Sequence, residues 1–279
     1  MSYEHVPERF KRAVALHLYK NLDTAPPQGT PLILGVHGAP GEGKTFQCEA
    51  VFREIGAHVE YISGGELEHH TAGEPAARIR RAYESAAAAR SRARGRFQPA
   101  VVFINDIDAG IGDWGEKVQY TVNRQQVFSE LMHLADYPND VHGMKVPRVP
   151  IVVTANDMSK MYQPFTRLGR MAMFEWAPVL DERAAALAGI FPELSPDERH
   201  KLVSEFPDQN IAFFAALKAK AGDDTLWSAI AATGVKESFA YLADLRTFVT
   251  EARAGLADLM SAGRDVVAAS RADDHMEGR

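Results

Sequence analysis

The sequence contains a single cysteine, Cys48, among 279 residues. No intramolecular disulfide can form, and the chain fits a reducing compartment. It has no run of about 18 apolar residues, which excludes an ordinary membrane-spanning helix. It has no excess of basic charge: the net charge is −6 at pH 7, so no global field draws it to the nucleic-acid backbone. The ten histidines show no zinc-ligand spacing, and the adjacent His69 and His70 project poorly toward one metal. The opening stretch MSYEHVPERFKRAV is charged and lacks the apolar core of a secretory leader, so a cytoplasmic location is expected. Internal repeats are lacking and low-complexity sequence is scarce. What remains is the composition of a soluble globular protein, 46% hydrophobic and 24% charged, long enough for one α/β domain and a smaller helical one.

The periodicity predicts a helix over residues 7–22, with Phe10, Val14, Leu16 and Leu18 as its apolar positions, and then a break at DTAPPQGTP. Five apolar runs predict strands: LILGVH (32–37), HVEYIS (58–63), AVVFIN (100–105), PIVVTA (150–155) and MAMFEW (171–176). Helices are expected between them, from about 44 to 55 and from 75 to 94. Strands alternating with helices imply a parallel sheet with right-handed crossovers. After Pro178 the pattern becomes helical, with Phe239, Leu242, Val249, Leu256 and Leu259 near helical spacing. The predicted domains are therefore 1–177, α/β, and 178–279, all-helical.

The stretch GVHGAPGEGKTFQCE between the first strand and the next helix carries the chemistry. Gly38, Gly43, Lys44 and Thr45 fit G-x-x-x-x-G-K-[ST], with Gly41 inside the loop. Glycines let consecutive backbone N–H groups turn inward as an anion nest, and the helix N-terminus beyond adds its dipole. The lysine neutralises β- and γ-phosphates, and the threonine hydroxyl serves Mg²⁺. The cofactors expected are ATP and Mg²⁺. VVFINDIDAG then runs from a strand into Asn105, Asp106 and Asp108. Acids at such a strand end hold Mg²⁺ and orient the attacking water. Asp106 is expected to orient the water, Asn105 to ligate Mg²⁺ directly or through water together with Thr45 and Asp106, and Asp108 to support the cofactor site. Asn156, ending the fourth strand, is expected to touch the γ-phosphate or the water. Arg167 and Arg170, before the last strand, are expected to reach a neighbouring subunit's nucleotide in trans, which requires an oligomer. Lys218 or Lys220 is expected to reach the nucleotide from the helical domain. Cys48 reads as packing, not as a nucleophile.

With these motifs in this order the chain resembles an AAA+ ATPase. The runs GEGKTFQCE, SGGELEHHTAGEPA, FINDIDAG, QYTVN, TANDMSKMYQPFTRLGRM and FFAALKAK are similar to those of the green-type Rubisco activases of plants and cyanobacteria. MSYEHVPERF is similar to the start of the short cyanobacterial form. The likeness is dense over residues 1–222 and thin afterwards. It implies a P-loop AAA+ module with a parallel five-stranded sheet in the order 5-1-4-3-2, followed by a helical lid and client-recognition domain. It also implies a hexameric ring that uses ATP to release inhibitory sugar-phosphates from Rubisco. By the same resemblance residues 64–74 form a first pore loop, with Glu66, Leu67 and Glu68, and residues 108–120 a second, with Trp114 and Tyr120. The chain departs from the family in its lysines at 218 and 220 where arginines are usual, and in the pair His69–His70.

Two other functions compete: an AAA+ remodeller of a different protein complex, and a nucleic-acid-associated AAA+ protein such as a helicase loader. The second draws on Arg78, Arg80, Arg81, Arg90, Arg92, Arg94 and Arg96, a basic run that also suits an intersubunit or solvated face. No aromatic interleaving supports base stacking, and a nucleic-acid partner is not expected.

Overall fold

The computed structural model describes residues 6–92, 97–112, 121–240 and 255–277. They fall into two compact units that meet in sequence between Ala177 and Pro178, with Val6 and Pro7 grouped with the second.

The first unit is built on a five-stranded parallel sheet. Its strands are β1 (Ile33–His37), β2 (His58–Ser63), β3 (Ala100–Asn105), β6 (Ile151–Ala155) and β7 (Met171–Glu175), in the spatial order β2-β3-β6-β1-β7. All four pairings are parallel. The three central strands are mostly apolar runs because both of their faces are covered, as parallel sheets require. Val102, Phe103, Ile104, Ile151, Val152 and Val153 are all inaccessible to solvent. β7 lies at an edge and alternates buried with accessible residues. The remaining two strands, β4 (Asp140–Val141) and β5 (Met144–Lys145), form a separate small hairpin. His142 and Gly143 turn it with positive φ angles of 49° and 89°, the signature of a tight primed turn. The sequence reading did not foresee this hairpin; its strands are too short to show a period. With it left out of the count, the sheet order is the expected one.

The helices of this unit are α1 (Glu8–Leu22), α2 (Lys44–Ile55), α3 (Glu74–Arg92), α4 (Ile107–Ile111), α5 (Thr121–Asp136) and α6 (Gln163–Thr166). α3 buries Ile79, Ala82, Tyr83, Ala86 and Ala87 against the sheet, which explains its alanine richness: small side chains let a helix lie close to the strands. Leu16, expected on the apolar face of α1, is 43% exposed, whereas Phe10, Val14 and Leu18 are buried.

The second unit contains α7 (Leu180–Ile190), α8 (Pro196–Glu205), α9 (Ile211–Thr233), α10 (Val235–Ala240) and α11 (Leu256–Glu277). Its core joins Leu187, Phe191, Leu202, Phe206, Phe214 and Leu259. Ser195 caps α8, accepting from the Glu198 N–H at 3.3 Å, and Asn210 caps α9, accepting from the Phe213 N–H at 2.9 Å, each a preferred N-cap residue. Phe239, expected in this core from its spacing, is 69% exposed. Leu242 and Val249 lie outside the described residues.

Candidate functional site

The site forms where the ends of β1, β3 and β6 meet. Between β1 and α2 the chain makes a loop whose shape demands glycine. A Cβ on Gly38 would lie 2.1 Å from the Trp176 carbonyl oxygen. Gly41 and Gly43 adopt φ of 78° and 72°, a region that side chains with a Cβ rarely enter. The loop is held from below. The indole of the fully buried Trp176 donates to the Glu42 carbonyl at 2.9 Å, and Gln47 donates to the same oxygen at 3.2 Å.

Lys44 opens α2, is 5% exposed and crosses the loop. Its ammonium donates to the carbonyls of Gly38 (2.7 Å) and Ala39 (2.9 Å) and to the Asn156 side-chain oxygen (2.9 Å). Burial pushes its pKa down, and the nearby Asp106, Asp108 and Glu42 carboxylates oppose that shift. Thr45 donates to the Asn105 amide oxygen at 2.5 Å. That oxygen also accepts from Thr154 at 2.8 Å, which orients the Asn105 NH₂ toward Asp106, 2.9 Å from its carboxylate. Thr154 is fully buried and in turn accepts from the Asp106 N–H at 2.9 Å. Asp106 sits in the left-handed region, φ 51° and ψ 52°, a conformation that costs energy for a residue with a Cβ. A threonine hydroxyl, an amide oxygen and a carboxylate thus converge beside the lysine. An all-oxygen donor set of this kind suits a hard divalent cation, and Mg²⁺ above all where phosphates complete the shell. Among the described residues no group of three or more His, Cys, Asp or Glu side chains forms a metal cage.

Several of the expected site residues have partners within their own chain. Asp108 is 1% exposed; its carboxylate accepts from the N–H groups of Asn156 (2.9 Å) and Asp157 (3.0 Å). Through one oxygen it ties the end of β6 to α4. Leu67 is 1% exposed and belongs to the core, so it anchors the 64–74 segment rather than projecting from it. Arg170 is taken up within its own chain. Its Nε and Nη2 donate to Asp136 at 2.8 and 2.6 Å, and its Nη1 donates to the Pro164 carbonyl at 2.8 Å. Arg167 is exposed. Lys218 lies in the helical unit, where its ammonium donates to the Ile190 carbonyl and pairs with Glu193 at 3.5 Å; Lys220 is exposed. Glu66 has local work as well, accepting from the Ser63 N–H at 2.9 Å and from Arg78 at 3.2 Å, while Glu68 is exposed. Trp114 and Tyr120 lie outside the described residues.

Sequence reasoning missed Thr154 and Trp176. A buried threonine inside the apolar run IVVTA was the one available signal for the first. The second needed the fold, because Trp176 meets Glu42 across 134 residues.

Residues 34–179 match the family model "ATPase family associated with various cellular activities (AAA)". The chain belongs to the AAA family. The matched stretch covers the sheet, the glycine loop and the strand-end residues described above. Following this AAA domain, residues 180–269 match the model "Ribulose bisphosphate carboxylase/oxygenase activase, AAA, helical". Among similar proteins, the ribulose bisphosphate carboxylase/oxygenase activase of an Anabaena species is 46% identical over 234 residues, covering 81% of this chain and 55% of its own length. The chloroplastic activase A of Hordeum vulgare is 43% identical over 240 residues, covering 83% of this chain and 51% of its own. The AAA chain thus spans about half the length of the curated relatives it matches.

Proposed function

We propose that this chain is an ATP-driven remodelling chaperone that acts on Rubisco and releases inhibitory sugar-phosphates from it. The observation that carries the nucleotide half is the convergence of Lys44, Thr45, Asn105, Asp106 and Asn156 at one strand-end cluster. The client half rests on the relatives named Rubisco activase and on the helical segment, whose family model carries the same name.

In this reading the N–H groups of the loop from Gly38 to Thr45 cradle the phosphates, and Lys44 balances the charge of the β- and γ-groups. Thr45, Asn105 and Asp106 hold Mg²⁺, directly or through water; the ion would supply charge neutralisation for the transferred phosphoryl group. Asp106 orients the attacking water, and Asn156, already bonded to Lys44, reads the γ-phosphate. Asp108 positions Asn156 through two backbone N–H groups. Copies assemble into a ring of six, in which an exposed arginine of one copy reaches the nucleotide of the next. The segment at 64–74 grips the client, residues 178–279 act as lid and client-recognition domain, and the protein works in the cytoplasm.

Of the seven arginines behind the helicase-loader alternative, four bond within their own chain, while Arg94 and Arg96 lie outside the described residues. Arg78 donates to the Tyr61 carbonyl at 2.8 Å, Arg80 pairs with Glu130 and Arg81 with Glu74, and Arg90 donates to the carbonyls of Arg148 and Leu22. These arginines are fastened to their own chain.

The test uses Rubisco inhibited with ribulose bisphosphate. Addition of this protein with ATP should restore carboxylation above the ATP-free control. No recovery, with ATP turnover present in the same tube, assigns the motor to a different protein complex.

A further inference from the structure

The segment from His69 to Gly73 is exposed at His70, Thr71 and Ala72 and belongs to no helix or strand. Such a segment is ordinarily the most mobile part of a domain. Here its backbone is gripped from beneath by one side chain. Asn123, in the first turn of α5, is 3% exposed. Its NH₂ donates to the carbonyls of His69 (2.5 Å) and Thr71 (3.2 Å), and its amide oxygen accepts from the Gly73 N–H at 2.9 Å. Two donors and one acceptor on one short side chain are what an asparagine offers. An aspartate lacks the donors and an alanine lacks all three.

The other end of the segment is joined to the nucleotide site by backbone packing. Ser63 lies beside Asn105 in the β2–β3 register. Directly after them, a Cβ on Gly64 would lie 2.0 Å from the Asp106 carbonyl oxygen, and a Cβ on Gly110 would lie 2.0 Å from the Gly64 carbonyl oxygen. The chain leaving β2 and the chain leaving β3 are therefore in main-chain contact, with no side chain between them to absorb displacement. Close-packed backbone transmits a shift because it has no room to yield.

We propose that Asn123 is a positioning residue that, together with the Gly64–Asp106–Gly110 stack, makes residues 64–73 move with the nucleotide site as one stiff body. A change at Asp106 enters the segment at Gly64, and the Asn123 clasp keeps the far end from relaxing independently. This inference rests on the reading of residues 64–74 as a client-gripping loop only for its purpose; the mechanical link itself concerns this chain alone.

Hydrogen exchange on the full chain tests it, with magnesium plus ADP or magnesium plus a slowly hydrolysed ATP analogue as the ligands. In the wild type, exchange of amides in 64–73 should differ between the two nucleotides. In Asn123→Ala, Gly73 and its neighbours should exchange on the order of tenfold faster. The nucleotide-dependent difference should vanish, while nucleotide affinity and protection of the β3 strand stay as in the wild type. Equal exchange with both nucleotides in the wild-type chain overturns the proposal without any variant. So does an undiminished nucleotide-dependent difference in Asn123→Ala. If Asn123→Ala loses β3 protection, Asn123→Asp, which keeps the side-chain shape and loses both donors, carries the comparison. The client-gripping reading fails separately: Glu68→Ala and His70→Ala would then leave Rubisco reactivation unchanged while the exchange coupling persists.

Discussion

Arg170 and Asp136 form a two-pronged ion pair, 2.8 and 2.6 Å, between the turn before β7 and the C-terminal residue of α5. The geometry matches both oxygens of the carboxylate to one edge of the guanidinium, the arrangement in which arginine is not replaceable by lysine. The pair holds the Asp136 carboxyl below its usual range. Arg170 is held by this pair within its own chain, and we propose Arg167, exposed three residues earlier, as the arginine that would reach a neighbouring copy.

Arg167→Ala is expected to lower ATP turnover by on the order of 10³-fold if it serves as a finger in trans, with the melting temperature unchanged. Mixing Arg167→Ala with Lys44→Ala subunits should restore part of the activity. Arg170→Ala should instead reduce stability by about 1 kcal/mol. Rings shown to contain both subunits but lacking any restored turnover would count against the trans arrangement.

Lys44→Ala removes an ammonium that crosses the glycine loop. Nucleotide affinity should fall by roughly tenfold to a hundredfold, the worth of a charge-assisted contact, while circular dichroism stays that of the folded chain. Titration calorimetry with ATP and Mg²⁺ gives the answer; wild-type affinity in this variant rules out the phosphate-loop assignment.

Asp106→Asn preserves shape and removes charge. ATP should still bind, and turnover should drop by about a hundredfold or more, the usual worth of a positioned acid–base group. Persistence of turnover would move the role to another carboxylate.

His17 supplies a pH signature of the fold. It is buried in α1, with its Nε2 3.2 Å from the Ile151 carbonyl, and burial lowers its pKa from 6.5 to about 4. The unfolded chain therefore binds this proton more readily than the folded one. Stability contributed by the neutral ring is fully present above pH 6.5 and is lost as pH falls from there toward about 4. At about 1.4 kcal/mol per pH unit the loss approaches about 3 kcal/mol. Urea midpoints measured across this range should decline in the wild type and decline less in His17→Gln; identical profiles would refute the assignment.

The parallel sheet was legible because buried strands write themselves as unbroken apolar runs, and the glycine loop because its geometry excludes other residues. Less legible were relationships that exist only across the sheet. Asp108 reads as a ligand in FINDIDAG, yet its position in α4 turns the carboxylate onto the backbone of Asn156 and Asp157, which the fold brings to it from 48 and 49 residues away. Arg170 reads as free because its partner Asp136 lies 34 residues earlier. Leu67 sits between Glu66 and Glu68 and shares their apparent polarity, although it is drawn into the core. Asn123 stands in the run QYTVN, but nothing there discloses its contacts, because its partners are main-chain atoms that any sequence provides.

Trp176 gives the molecule a built-in optical probe. Its ring is wholly enclosed, its indole N–H is fixed on the glycine loop at Glu42, and Arg9 lies over its face, 4.9 Å from the ring centre. Indole emission depends on the field and polarity around the ring, so any rearrangement of that loop must register in the fluorescence of this residue. Trp227, by contrast, is 62% exposed and is expected to emit further to the red than an enclosed indole. Trp114 is the third tryptophan of the chain; with Trp114 and Trp227 both replaced by phenylalanine, Trp176 would be the sole indole and the loop could be watched without attaching a dye.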